Sequence, residues 1–196
     1  LKNFRKGISE EEADAAIREA LRVAGIDYDE VAEKSPFELS GGQRRRVAIA
    51  GVIVTKPEVL ILDEPAAGLD PLGKKELMEL LHAIHGQWCK TVVIVSHDMD
   101  EIAENCTHAA VFSEGRVALC GTPKEIFSRG DELAAMGLGV PVTARAAQIM
   151  RGHGYAVDTD FTCDDFVNKV LTLYRAENAA GAPAGGTHKE SAGGAG

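Results

Sequence analysis

A short apolar run, Val59-Leu60-Ile61-Leu62, leads directly into the acidic pair Asp63-Glu64 and then Pro65. A continuous apolar stretch of that length has the form of a buried parallel strand. A second one, Val92-Val93-Ile94-Val95, follows a segment in which Leu77, Leu80, Leu81 and Ile84 recur at helical spacing behind Pro71. Strand, helix and strand in that order predict an α/β core with a parallel sheet. Such sheets bind ligands beyond the carboxyl ends of their strands, and Asp63 and Glu64 fall at one of those ends. Asp63 suits Mg²⁺, because hard cations prefer oxygen ligands. Glu64 suits the task of orienting and deprotonating an attacking water. Taken alone, the pair could equally be an ordinary acidic strand end entering a turn.

The segments around this core carry their own signals. Ser9 followed by Glu12 spells a capping box, and Ala13, Ala16, Ile17, Ala20, Leu21 and Ala24 continue at helical spacing until Gly25. A polar loop then leads to Leu39-Ser40-Gly41-Gly42-Gln43. Val47 to Val54 is apolar on every face, which predicts a helix buried all round, and Lys56-Pro57 ends it. Past the second strand, Met99, Ile102, Ala103 and Cys106 mark a short helix. Ala109–Phe112 and Val117–Leu119, joined through Glu114-Gly115, predict a hairpin. Thr122 caps a further helix, and two more are expected near Thr143–Arg151 and Asp164–Tyr174. Residues 179–196 are mostly Ala and Gly and bury too little surface to offset their ordering entropy.

Two more motifs sit at positions with chemical potential. Ser40-Gly41-Gly42-Gln43 precedes a helix, where glycines admit an anion close to free N–H groups and a favourable dipole. The competing reading is a loop that only caps the helix. His97, in Ser96-His97-Asp98, follows the second strand and could contact a terminal phosphate and sense its loss. His82 and His85 share a helix face, yet no third ligand supports a metal.

Singly these signals are modest; their order and spacing are specific. Over roughly residues 8–128 the chain resembles the ATP-binding-cassette ATPase family. Leu39–Gln43 is similar to its signature loop, Val59–Glu64 to its Walker B strand, Ala67–Asp70 to its D-loop and His97 to its switch histidine. Within the family, Asn3 to Glu12, Ser96 to Glu101, Gly121 to Phe127 and Gly137 to Pro141 resemble the ATPases of energy-coupling-factor importers for vitamins and for cobalt or nickel ions.

The resemblance implies an α/β fold: a partial P-loop NTPase (ABC ATPase) core with parallel strands, a helical subdomain and a small C-terminal extension. The implied divisions are the remaining helical subdomain over 1–56 and half of the ATPase core over 57–129. An extension over 130–176 and a disordered tail over 177–196 complete them. The family's phosphate loop, G-x-x-x-x-G-K-[ST], has one near match in Gly68-Leu69-Asp70-Pro71-Leu72-Gly73-Lys74. It fails at Lys75, overlaps the D-loop and contains Pro71. The chain is therefore read as an N-terminally truncated member that lacks the phosphate cradle and is inactive alone.

In the working unit the resemblance implies, two cassettes sandwich ATP head to tail. Asp63 would position Mg²⁺, Glu64 would act on water and His97 would contact the γ-phosphate. Ser40, Gly41, Gly42 and Gln43 would bind the partner's nucleotide, and Asp70 would link the two sites. The implied partners are a second ABC ATPase subunit, a transmembrane coupling subunit and a substrate-binding membrane subunit, at the cytoplasmic face of the membrane.

Composition decides among partners. Lys and Arg total 21 against 30 Asp and Glu, a formal charge of −9, which argues against nucleic acid. Arg44-Arg45-Arg46 is then read as a helix start beside phosphate and solvent. No stretch approaches the roughly 18 unbroken apolar residues of a membrane span. The cysteines, Cys89, Cys106, Cys120 and Cys163, form no Cys-x-x-Cys pair and read as reduced structural thiols. Rival functions are the ATPase of another ABC transporter class, an inactive truncated module, and a non-transport ABC protein of translation or DNA repair. The last would carry tandem cassettes or a long coiled-coil insertion.

Overall fold

The computed structural model describes residues 7–159 and 161–180. Asn3–Lys6 of the family resemblance and residues 181–196 of the expected tail lie outside the described residues. The chain divides into two compact units, Leu1–His97 and Asp98–Gly196. The expected boundaries near residues 56 and 129 do not divide the packing. Ile53 and Leu60 share one core, and Phe127 and Leu133 share another, so burial ties together the stretches that flank each expected boundary.

In the first unit, helix α1 (Glu10–Val23) starts at a formed capping box. The amide of Glu12 donates to Ser9 Oγ at 3.1 Å, and the amide of Ser9 donates to Glu12 Oε2 at 2.9 Å. Gly25, at φ +70°, ends the helix, and the amide of Ile26 closes the last turn on the carbonyl of Leu21 at 2.9 Å. The stretch expected as a polar loop contains the short helix α2 (Tyr28–Val31) and a 3₁₀ turn (Pro36–Glu38). Their capping residues, Asp27 and Ser35, are the kind that favour such starts. Elements of three or four residues do not repeat a helical period, so periodicity could not find them.

Helix α3 (Gly41–Ile53) corrects the expectation of a helix buried all round. Ile49, Ala50 and Ile53 enter the core, while Val52 is 48% exposed. The helix packs on α1 with one face only. Strand β1 (Val59–Asp63), helix α4 (Pro71–Ile84) and strand β2 (Thr91–Val95) follow in the expected order. The strands pair in parallel, in register from Val59 opposite Thr91 to Asp63 opposite Val95.

This sheet is likewise covered on one face. Leu60, Leu62, Val92 and Ile94 pack with the core cluster that includes Leu77, Leu81 and Ile84 of α4. Strand alternation sends Val59, Ile61, Val93 and Val95 to the opposite face, where Ile61 is 67% exposed. A run apolar at every position says that both faces could be buried; packing decides which one is.

Arg46 ties three helices together, donating from Nη1 to the Ala24 carbonyl at 3.3 Å and from Nη2 to Glu76 Oε2 at 2.7 Å. A Cβ on Gly25 would stand 2.9 Å from Arg46 Nη1, on a backbone already left-handed. Gly25→Ala is expected to cost about 1–2 kcal/mol, chiefly through that conformation. An unchanged urea midpoint would show that the left-handed turn is not required there.

The second unit starts with helix α5 (Met99–Asn105) and the antiparallel hairpin of β3 (Ala109–Ser113) and β4 (Arg116–Gly121). Its turn places Glu114 at φ +50° and Gly115 at φ +75°, the geometry of a tight two-residue hairpin loop. Helix α6 (Pro123–Phe127) has the Thr122–Glu125 capping box. Helices α7 (Gly130–Ala135), α8 (Val142–Gly152) and α9 (Cys163–Ala180) complete the unit. Its core joins Ala103, Leu119, Ile126, Phe127 and Leu133, with Phe127 edge-on to Phe161 at 6.2 Å between centroids. Helix α9 continues to Ala180, into the stretch from 177 onward expected to be disordered. Alanine and glutamate propagate a helix already nucleated by its neighbours, without needing a core of their own.

Candidate active site at the carboxyl ends of the parallel strands

The parallel register brings the carboxyl end of β1 beside that of β2, so the residue after Asp63 lies next to Val95. There the amide of Glu64 donates to the Val95 carbonyl at 2.8 Å, extending the strand pairing by one bond. Glu64 itself is left-handed, at φ +48°. A non-glycine residue pays for that conformation in steric energy, and such residues concentrate at functional sites. The turn swings the Glu64 side chain out of the strand, and it remains 36% exposed.

His97, two residues past β2, meets it. Its Nδ1 lies 2.6 Å from Glu64 Oε1, while the imidazole is 83% exposed. A contact this short between groups 33 positions apart sets the carboxylate's direction at the mouth of the sheet. Asp63 is exposed beside it.

Among the described residues no group of three or more His, Cys, Asp or Glu side chains could hold a metal ion. A single exposed carboxylate fits Mg²⁺ all the same. That ion keeps several waters and is held by one or two carboxylates together with substrate phosphates.

The signature residues form a separate constellation. Ser40 caps α3: its Oγ accepts from the Gln43 amide at 3.2 Å, and its own amide donates to Gln43 Oε1 at 3.1 Å. The capping role that competed with phosphate binding is thus present. Gly41 and Gly42 add something a cap does not need. A Cβ at either would meet nothing within 4 Å, so packing among the described residues does not demand glycine there. Asp70 caps α4, accepting from the Gly73 amide at 2.7 Å.

The Arg44–Arg46 cluster is spent on internal carbonyls and one carboxylate rather than displayed as a basic patch. Arg44 donates to the carbonyls of Pro36 and Leu39 at 3.1 and 3.3 Å, and Arg45 to that of Ala67 at 3.0 Å. The expectation of a helix start beside phosphate and solvent does not include these ties. Their one signal was the run of three arginines directly after Gln43. Three of the four cysteines are disfavoured as nucleophiles. Burial raises the thiols of Cys89, Cys106 and Cys163, helped by Glu101 at Cys106 and by Glu104 at Cys163, which disfavours the reactive thiolate.

A family model described as "ABC transporter" matches residues 2–67. Over 170 residues the chain is 44% identical to the energy-coupling factor transporter ATP-binding protein EcfA2 of Caldanaerobacter subterraneus subsp. tengcongensis, covering 86% of this chain and 59% of that protein. The chain belongs to the ABC-ATPase family.

Solved ABC ATPases agree in fold. The structure of cbiO1 from Clostridium perfringens, described as part of the ABC transporter complex cbiONQ, superposes with a TM-score of 0.59 at 38% identity. It matches over 76% of this chain and 57% of that one. The dimeric structure of MJ0796, a bacterial ABC transporter cassette, gives 0.52 at 30% identity over 61% and 50%. The ABC-ATPase chain spans about three fifths of the length of the curated relatives it matches.

The family match corrects the reading of an N-terminally truncated chain that lacks its phosphate-binding loop. It extends from residue 2 to residue 67, so the opening stretch of the chain is itself family sequence. A match of that length is carried by residues across α1, α3 and β1 together. One unspelled motif therefore does not mark where the family's domain begins. The expectation of an inactive fragment, which rested on the missing loop, falls with it.

Proposed function

We propose that this ABC-ATPase chain binds and hydrolyses ATP and so energises a membrane importer of the energy-coupling-factor type, for a vitamin or for cobalt or nickel ions. The observation that carries the chemistry is Glu64, left-handed at the end of β1 with His97 Nδ1 2.6 Å from its carboxylate. The importer reading is supported by the 39–44% identity to EcfA2 proteins over more than four fifths of the chain.

Hydrolysis is an in-line attack of water on the γ-phosphate, in which catalysis comes mainly from positioning and electrostatics. Glu64 orients the water and takes its proton. His97 donates from Nδ1 to the carboxylate, holds it at the strand end, and contacts the γ-phosphate. Asp63 would hold Mg²⁺, which when bound offsets phosphate charge. Ser40, Gly41, Gly42 and Gln43 bind the nucleotide of a second ATPase subunit, the open space beside Gly41 and Gly42 admitting its phosphates. Asp70 faces the same subunit and links the two sites.

The further partners are a transmembrane coupling subunit and a substrate-binding membrane subunit, with the ATPase peripheral at the cytoplasmic face. No described helix is long and apolar enough to cross a membrane. The test is phosphate release from MgATP by the protein co-purified with those membrane subunits. Turnover that rises on assembly is expected. Phosphate release no greater than that of Glu64→Gln, or failure to assemble with such subunits, would sink the corresponding half of the proposal.

A further inference from the structure

The geometry points to Arg45 as a positioning residue, which ties the first turns of α3, where the signature residues lie, to the turn that follows Glu64. The inference deepens the ATP-hydrolysis reading and rests on it for its consequence, though not for its geometry.

The turn runs from Glu64 to Asp70 and has little of its own to hold it. Glu64 and Gly68 are both left-handed, at φ +48° and +72°. The amide of Ala67 donates to the Glu64 carbonyl and that of Leu69 to the Ala66 carbonyl, each at 3.2 Å. Pro65 and Ala66 are buried, whereas Ala67, Gly68 and Asp70 are exposed. A segment with two local hydrogen bonds and solvent on its outer half opens easily unless something grips it.

Arg45 Nη2 supplies that grip at the Ala67 carbonyl, 3.0 Å away and across 22 positions of sequence. The hydrogen bond lands at the midpoint of the turn, between the water-activating Glu64 and Asp70, the cap of α4. Arg45 itself stands two residues beyond Gln43, which is locked to Ser40 by the capping box. Ser40, Gln43, Arg45, Ala67 and Asp70 thus form one connected path, each link a short covalent stretch or a hydrogen bond.

A purely structural role fits the side chain poorly. Its other terminal nitrogen, Nη1, is enclosed and has no hydrogen-bond partner among the described residues. An enclosed guanidinium nitrogen with its donor unused is costly, and a Met or Leu would pack there without that penalty. What an aliphatic residue cannot do is hold the Ala67 carbonyl. A displacement of the turn by about 1 Å is enough to cost a reaction much of its rate through lost alignment. Arg45 therefore prevents a loss that nucleotide contact alone would not repair.

The experiment compares Arg45→Met and Arg45→Lys in the full-length protein by amide hydrogen exchange and by steady-state ATPase kinetics. Arg45→Met is expected to speed exchange at Ala67 and Leu69 about tenfold, leaving α3 protected. It should lower kcat about tenfold, with the KM for ATP within about twofold, since alignment rather than binding is lost. Arg45→Lys, which keeps a cationic donor of similar reach, should recover more than half of both effects. Unchanged exchange at Ala67 and Leu69, equal loosening across α3, or no recovery with lysine would each overturn the inference. A wild-type protein without ATPase activity would instead refute the hydrolysis reading, and the exchange data would still decide whether Arg45 grips the turn.

Discussion

Glu64→Gln should lower MgATP turnover about 10²–10⁴-fold, the range over which a positioned general base acts. The substitution is close to isosteric, and the amide oxygen can still accept from His97 Nδ1. The left-handed backbone and the 2.8 Å bond to Val95 belong to the main chain and stay as they are. What disappears is the charge that takes the proton from water. Nucleotide binding should persist, so ATP should accumulate in an unhydrolysed state and shift the protein toward a nucleotide-held dimer in size-exclusion chromatography. Turnover within about twofold of wild type would remove Glu64 from the catalytic role and leave its strained backbone without a chemical reason.

The largest loss of stability is expected at Ile84. It is fully buried at the end of α4, in the core that joins Leu60, Leu77, Leu81 and Cys89. Ile84→Ala removes three carbons from that site, and the loss combines transfer energy with a cavity that backbone rigidity prevents from collapsing. The expected cost is about 2–5 kcal/mol, against about 0.5–1.5 kcal/mol for Ile84→Val. Val52→Ala supplies the contrast, because Val52 is half exposed on α3 and should change stability by no more than about 0.5 kcal/mol. Urea unfolding of the three variants measures the difference. Equal midpoints for Ile84→Ala and Val52→Ala would mean that the α4 end does not anchor the first unit.

Much of the fold was legible where the signal is local. Ser9 with Glu12, Ser40 with Gln43 and Thr122 with Glu125 all form the reciprocal caps they spell, because both partners lie within one helical turn. Glu114-Gly115 makes the tight turn of the hairpin for the same reason. The short α2, α7 and the 3₁₀ turn escaped because they end before a period can repeat. Burial escaped at α3 and on the outer face of the sheet. Apolar composition states what a face tolerates, and neighbours distant in sequence decide what covers it.

The candidate site divides along the same line. Asp63 and Glu64 at the end of an apolar strand, Ser40-Gly41-Gly42-Gln43 at the start of a helix, and His97 after a second strand are all readable in order from the chain. By itself the sequence determined the α/β class, the helix starts and the residue types available for phosphate chemistry, since these depend on steric and hydrogen-bonding preferences spanning a few residues. Only the tertiary structure decided that Glu64 turns left-handed, that His97 reaches its carboxylate at 2.6 Å, and that Arg45 closes on Ala67. Each of those facts depends on bringing together residues that the sequence keeps apart. Strand register and helix packing fix them through the burial of side chains such as Leu60 and Ile84, which take no part in the chemistry.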